Sequence, residues 1–190
     1  MIKIGVLALQ GAFREHIYSI KKCGADAIEI KFPLQLKEVD GLIIPGGEST
    51  AINKLINKYS FNFYLDDFHK SGKVIYGTCA GLILIAKKVA DEDFGLGYID
   101  IDVARNSYGR QIDSFEEYIS IDFDKKEKFK AIFIRAPKIL RAGPDVDILS
   151  KIEDNIILAR QNNVLASTFH PELGEDTRIH KYFLKMIEKL

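Results

Sequence analysis

Cysteine is scarce in this sequence, charge of neither sign prevails, and no hydrophobic stretch is long. Among 190 residues only Cys23 and Cys79 are cysteines, too few for a disulfide framework, so a reducing cytoplasm is the expected setting. Lysine plus arginine equals aspartate plus glutamate, 27 each. No overall field therefore draws the chain to nucleic acid or to an anionic membrane. The nearest thing to a basic run, Lys125-Lys126-Glu127-Lys128, is interrupted by acid and reads as a solvated turn. No run reaches the roughly 18 apolar residues that cross a bilayer, and Met1-Ile2-Lys3-Ile4 lacks the form of a signal peptide. Repeats, low-complexity segments and metal-ligand clusters are missing as well, so neither a metal nor an organic cofactor is expected.

What is present suits a single α/β domain over residues 1–190, with 47% hydrophobic and 28% charged residues. Ile2 to Leu9 is nearly continuous in apolar residues, as in a strand buried on both faces, and Gln10-Gly11 breaks it. Phe13, Ile17 and Ile20 follow at helical spacing up to Gly24. Ala27–Ile30, Gly41–Ile44 and Val74–Tyr76 read as further strands. Strands alternating with helices imply right-handed crossovers and a mostly parallel sheet flanked by helices. After Gly97, the segments YIDIDV, EYISIDF, AIFIRA and IILARQ are short, and several alternate apolar with polar. They predict antiparallel strands added to the sheet or packed beside it. Asn163–Phe169 reads as one more strand, and Asp176–Leu190 as a closing helix with Ile179, Phe183, Met186, Ile187 and Leu190 on its apolar stripe.

Three segments carry chemistry. Gly77-Thr78-Cys79-Ala80-Gly81 follows the apolar run VIY and leads into LILIAKK, which reads as helix. Glycines two before and two after a nucleophile suit a sharp strand-to-helix turn that lifts Cys79 above the carboxyl edge of the sheet. There the Ala80 amide would face an oxyanion formed beside the sulfur. His170-Pro171-Glu172 ends the last strand. Proline keeps the tripeptide extended, so Glu172 can hold one imidazole nitrogen while the other faces a nucleophile. Ile44-Pro45-Gly46-Gly47-Glu48-Ser49-Thr50 ends a strand in two glycines, with a helix cap expected at Ser49 or Thr50. Each has a plainer reading as buried packing, a surface pair or a bare turn. Cys23 reads as packing, His69 as a helix-end surface residue, His180 as lying on the polar side of the closing helix, and His16 as structural or interfacial.

In this order the three segments resemble the class I, triad-type glutamine amidotransferases. LQGAFREH (9–16), PGGEST (45–50), GTCAGL (77–82), RNSYGRQIDSFE (105–116), FIRAP (133–137) and FHPEL (169–173) are similar to the glutaminase subunits of pyridoxal 5'-phosphate synthase. The resemblance implies a glutaminase with Cys79, His170 and Glu172 as its triad and the N–H groups of Gly47 and Ala80 as oxyanion donors. Gly46, Gly47, Glu48, Arg105, Ile134 and Arg135 would bind L-glutamine. A synthase subunit would be the partner that receives the ammonia. A glutaminase serving another acceptor, or a non-catalytic regulator on the same fold, would be the alternatives.

Overall fold

The computed structural model describes residues 2–105 and 114–190. Positions 106–113, inside the RNSYGRQIDSFE block, lie outside the described residues. The strands at the middle of the main sheet are β1 (Lys3–Leu7), β3 (Gly41–Ile44), β4 (Val74–Thr78) and β12 (Val164–Ser167), and nearly every residue in them is buried. A strand covered on both faces favours apolar side chains throughout, which is why these read as nearly continuous apolar runs, with the buried polar Thr78 and Ser167 at their carboxyl ends. β2 (Asp26–Ile30), β10 (Asp147–Ile152) and β11 (Asn155–Gln161) complete seven strands in the order β10-β11-β12-β4-β3-β1-β2. From β2 to β12 all pairings are parallel, and β11 and β10 continue antiparallel.

Neighbouring residues of a central strand point to opposite faces, and each face has its own core. Leu42 and Ile44 pack with Ile52 and Ile56 of α2 (Ser49–Lys58), Phe61, Leu65 and Phe68 of α3 (Phe61–Lys70) and Leu82 of α4 (Ala80–Ile85). Ile43 and Tyr76 pack on the other side with Ile20 of α1 (Phe13–Lys22) and Ile179 and Phe183 of α5 (Arg178–Ile187). The fold is therefore a mostly parallel sheet between helical layers, as the alternation of strand and helix implies.

The second half differs in detail from its sequence pattern. Among the described strands after Gly97, β12 sits within the main sheet and only β10 and β11 extend it antiparallel. β6 (Ile99–Ala104) joins β5 (Ala86–Val89) and β9 (Lys138–Ala142) in a separate three-stranded sheet, and β7 (Ser114–Ile121) with β8 (Asp124–Ile134) forms a hairpin. LILIAKK is not helical throughout. The helix ends at Ile85, and Ala86–Val89 is β5. His180 is also misplaced by the sequence reading, for it is fully buried. It precedes Phe183 and Leu184 by three and four residues, which sets it on the apolar face of α5.

Candidate active site

Because β1, β3, β4 and β12 run parallel, their carboxyl ends meet along one edge, where open α/β sheets bind ligands. Gln10 follows β1, Gly46-Gly47 follows β3, Cys79 follows β4 and His170 follows β12. Cys79 has φ 49 and ψ −103, a conformation a side-chain-bearing residue rarely adopts. Two contacts hold it there. Its N–H donates to the Ser167 carbonyl at 2.9 Å, and the turn after it presses α4 onto the end of β3. A Cβ at Gly81 would lie 1.9 Å from the Ile44 carbonyl oxygen, so only glycine permits this approach. Cys79 is 6% exposed, with its thiol 3.9 Å from the Ile134 carbonyl oxygen.

His170 leaves β12 with its N–H on the Ile132 carbonyl at 2.8 Å. Its Nδ1 is 2.7 Å from Oε1 of Glu172. The tripeptide is not extended as expected: Pro171–Leu173 is a short 3-10 helix. Proline is tolerated at the first helical position because no N–H is needed there, and the turn still brings Glu172 under the imidazole. Burial opposes charge on His170, but hydrogen bonding to Cys79 and Glu172 raises its pKa to about 10. Burial likewise opposes the Glu172 carboxylate, yet His16 and His170 hold its pKa below the ordinary value. The ring lies against the glycine turn, where a Cβ at Gly46 would be 2.4 Å from His170 Cε1 and 3.4 Å from Cys79 Cβ.

The glycine turn is pinned on both sides. The Gly46 N–H donates to Thr78 Oγ1 at 3.0 Å, and its carbonyl accepts the Ala12 N–H at 3.0 Å. Gln10 Oε1 accepts the Glu48 N–H at 2.8 Å. The cap of α2 is Glu48, not Ser49 or Thr50. Its two oxygens accept from Thr50 N at 3.0 Å and Ala51 N at 2.7 Å, because a glutamate preceding the helix reaches the same free N–H groups. Burial opposes this carboxylate too, but the two backbone bonds and Arg105 lower its pKa. Arg105 reaches Glu48 at 3.2 Å and Thr50 Oγ1 at 2.9 Å, and also pairs with Glu92. Every residue singled out for triad, oxyanion or glutamine binding borders one cleft of about 340 Å³, except Glu172, which lies behind His170. That volume is at the small end of ligand pockets.

A model of the SNO glutamine amidotransferase family matches residues 6–189. The chain belongs to the SNO glutamine amidotransferase family. Relatives within it are named pyridoxal 5'-phosphate synthase subunit PdxT. That of Bacillus licheniformis is 52% identical over 190 residues, covering 100% of this chain and 96% of the relative. That of Shouchella clausii is 54% identical over 187 residues, covering 98% and 95%. A crystal structure of a glutamine amidotransferase matches with a TM-score of 0.92 at 42% identity, covering 97% of this chain and 98% of the other.

In this SNO amidotransferase the sequence reading missed Ala12 and Thr78, which pin the glycine turn, and the burial of His16 and His180. Thr78 had a signal, since it sits inside the elbow motif. Ala12 had none, because it acts through its backbone. Among the described residues no helix is long and apolar enough to cross a membrane, and no group of three histidine, cysteine or carboxylate side chains is placed to hold a metal.

Proposed function

We propose that this SNO amidotransferase hydrolyses L-glutamine to L-glutamate and ammonia and passes the ammonia to a pyridoxal 5'-phosphate synthase subunit. The observation that carries the reading is the line from Glu172 through His170 to Cys79 at the edge of a cleft. Arg105 and the glycine turn offer the α-carboxylate and α-ammonium of glutamine a cation and backbone groups. Cys79 attacks the side-chain amide carbon as the thiolate, forming a C–S bond while the carbonyl oxygen takes up charge. The N–H groups of Gly47 and Ala80 stabilise that oxyanion. His170 gives its proton to the departing nitrogen, ammonia leaves, and a thioester remains. His170 then takes a proton from water, which attacks the thioester and releases glutamate and the thiolate. Glu172 orients the imidazole throughout and stabilises its charged form.

The relatives are synthase subunits by name, and a free glutaminase would discard its ammonia. Control at the oxyanion hole is the economical place for coupling to a synthase. The peptide between Gly46 and Gly47 can rotate at low steric cost, and its present orientation is held at the oxygen by Ala12, whereas Gln10 holds the next N–H along. A reducing compartment keeps the thiol available. The test is glutamine hydrolysis with and without the synthase subunit, by the native chain and by Cys79→Ala. Cys79→Ala is expected to fold and to release no ammonia above background with the partner present. Appreciable activity in that variant would overturn the reading.

A further inference from the structure

The proposed chemistry leaves a pair of buried imidazoles unused. His16 on α1 and His180 on α5 have no exposed surface. His16 Nε2 is 3.1 Å from Thr78 Oγ1 and 3.3 Å from Glu172 Oε2, and its Nδ1 is 3.0 Å from His180 Nε2. Burial lowers the pKa of both rings, that of His180 to about 3. Each is therefore neutral near pH 7 and carries a single ring proton.

Only one placement of those protons suits the neighbours. A bare Nε2 on His16 would turn a lone pair toward the Glu172 carboxylate and repel it, so the His16 proton sits on Nε2. Its Nδ1 is then an acceptor and takes the Nε2–H of His180. His180 Nδ1 becomes a bare lone pair, and that atom has no hydrogen-bond partner. The reverse assignment leaves the same His180 atom unpaired, as a buried N–H, and adds the repulsion at Glu172, so the carboxylate decides between the two. Thr78 Oγ1 has two lone pairs, one for the Gly46 N–H and one for His16. Glu172 Oε2 has no well-aligned hydrogen bond and gains the other share of the same His16 proton.

We propose that His16 is a positioning residue of the glutaminase centre, sharing its Nε2–H between Glu172 and Thr78 and so fixing the triad carboxylate and the Gly46 turn from behind. His180 selects the tautomer that makes this possible. The inference rests on the triad reading given above and names a residue that acts only through it.

The test is steady-state glutaminase kinetics across pH, in the presence of the synthase subunit, for the native chain and for His16→Leu, His16→Gln and His16→Asn. Charged and titratable groups facing Glu172 are His170 from the end of β12 and His16 from α1, with Tyr76 of β4 near it and His180 of α5 beyond His16. Leucine removes the donor at similar volume. It is expected to lower kcat by roughly 10-fold or more with little change in KM, the loss of one hydrogen bond to a charged group. Without that donor the Glu172 carboxylate binds a proton more readily, so the acid limb of kcat/KM moves to higher pH. Glutamine places an amide N–H where Nε2 was and is expected to restore both. Asparagine reaches only the Nδ1 position and is expected to behave like leucine, which keeps the comparison decisive if His16→Leu does not fold. Folded His16→Leu or His16→Asn with native kcat and an unmoved acid limb would overturn the inference. So would a loss that His16→Gln shares with the limb unchanged, which marks a packing role. A failure of the triad itself reads out separately, as activity retained by Cys79→Ala.

Discussion

His170 and Glu172 are coupled but unequal. The imidazole moves protons twice in the proposed cycle, whereas the carboxylate holds Nδ1 at 2.7 Å and favours the charged ring. Glu172→Gln keeps an acceptor for Nδ1–H and loses the charge, while His170→Asn loses the proton carrier itself. We expect Glu172→Gln to be the milder change by roughly an order of magnitude in kcat or more, measured with the synthase subunit present. Equal losses, or a larger one at Glu172, would place the proton transfer elsewhere. The residue types and spacing of the two were legible in the sequence. Their local conformation was not, because the rule that proline breaks helices does not apply at a first helical position, which Pro171 occupies.

Among the elements, the contact of α4 with the end of β3 decides where the nucleophile sits. A Cβ at Gly81 would meet backbone oxygen at 1.9 Å, and backbone cannot swing aside as a side-chain tip can. Gly81→Ala should therefore cost about 1–3 kcal/mol of stability and lower activity through displacement of Cys79. Denaturant unfolding checks it; an unchanged midpoint would contradict so close a packing. The central strands were legible because burial on both faces leaves an unambiguous apolar run ended by glycine or, after β12, by Pro171. LILIAKK was not, since a short apolar run fits helix or strand alike and only the neighbouring β6 decides that Ala86–Val89 pairs. The alternating segments after Gly97 revealed strands without revealing which sheet each joins, because alternation reports one buried face and not its partner. The α2 cap was missed for another reason: Glu48 outreaches the shorter side chains that follow it.

Over the whole molecule, the buried histidines set how stability responds to pH. The unfolded chain binds a proton at His180 below about pH 6.5, whereas the folded chain refuses it until about 3. This contribution is complete above 6.5 and declines by about 1.4 kcal/mol per unit as pH falls toward 3. His16 acts in the same direction. His170 acts oppositely: its folded pKa is raised to about 10, so its contribution is complete below 6.5 and is lost as pH rises through 10. From pH 7 to pH 5 the chain is expected to lose about 2 kcal/mol through His180 alone, and His180→Leu to lose correspondingly less over the same window. Identical pH dependence of the two denaturation midpoints would refute it. The backbone of Cys79 also bears on the whole fold. Holding φ 49 and ψ −103 costs on the order of 1–3 kcal/mol for a residue with a Cβ. Alanine keeps that cost and glycine removes it, so Cys79→Gly should unfold at higher denaturant than Cys79→Ala, and the opposite order would contradict the strain. A glycine at this turn would then outlast an alanine there, which means that the backbone itself asks for no side chain at the position and that chemistry is what keeps a cysteine in it.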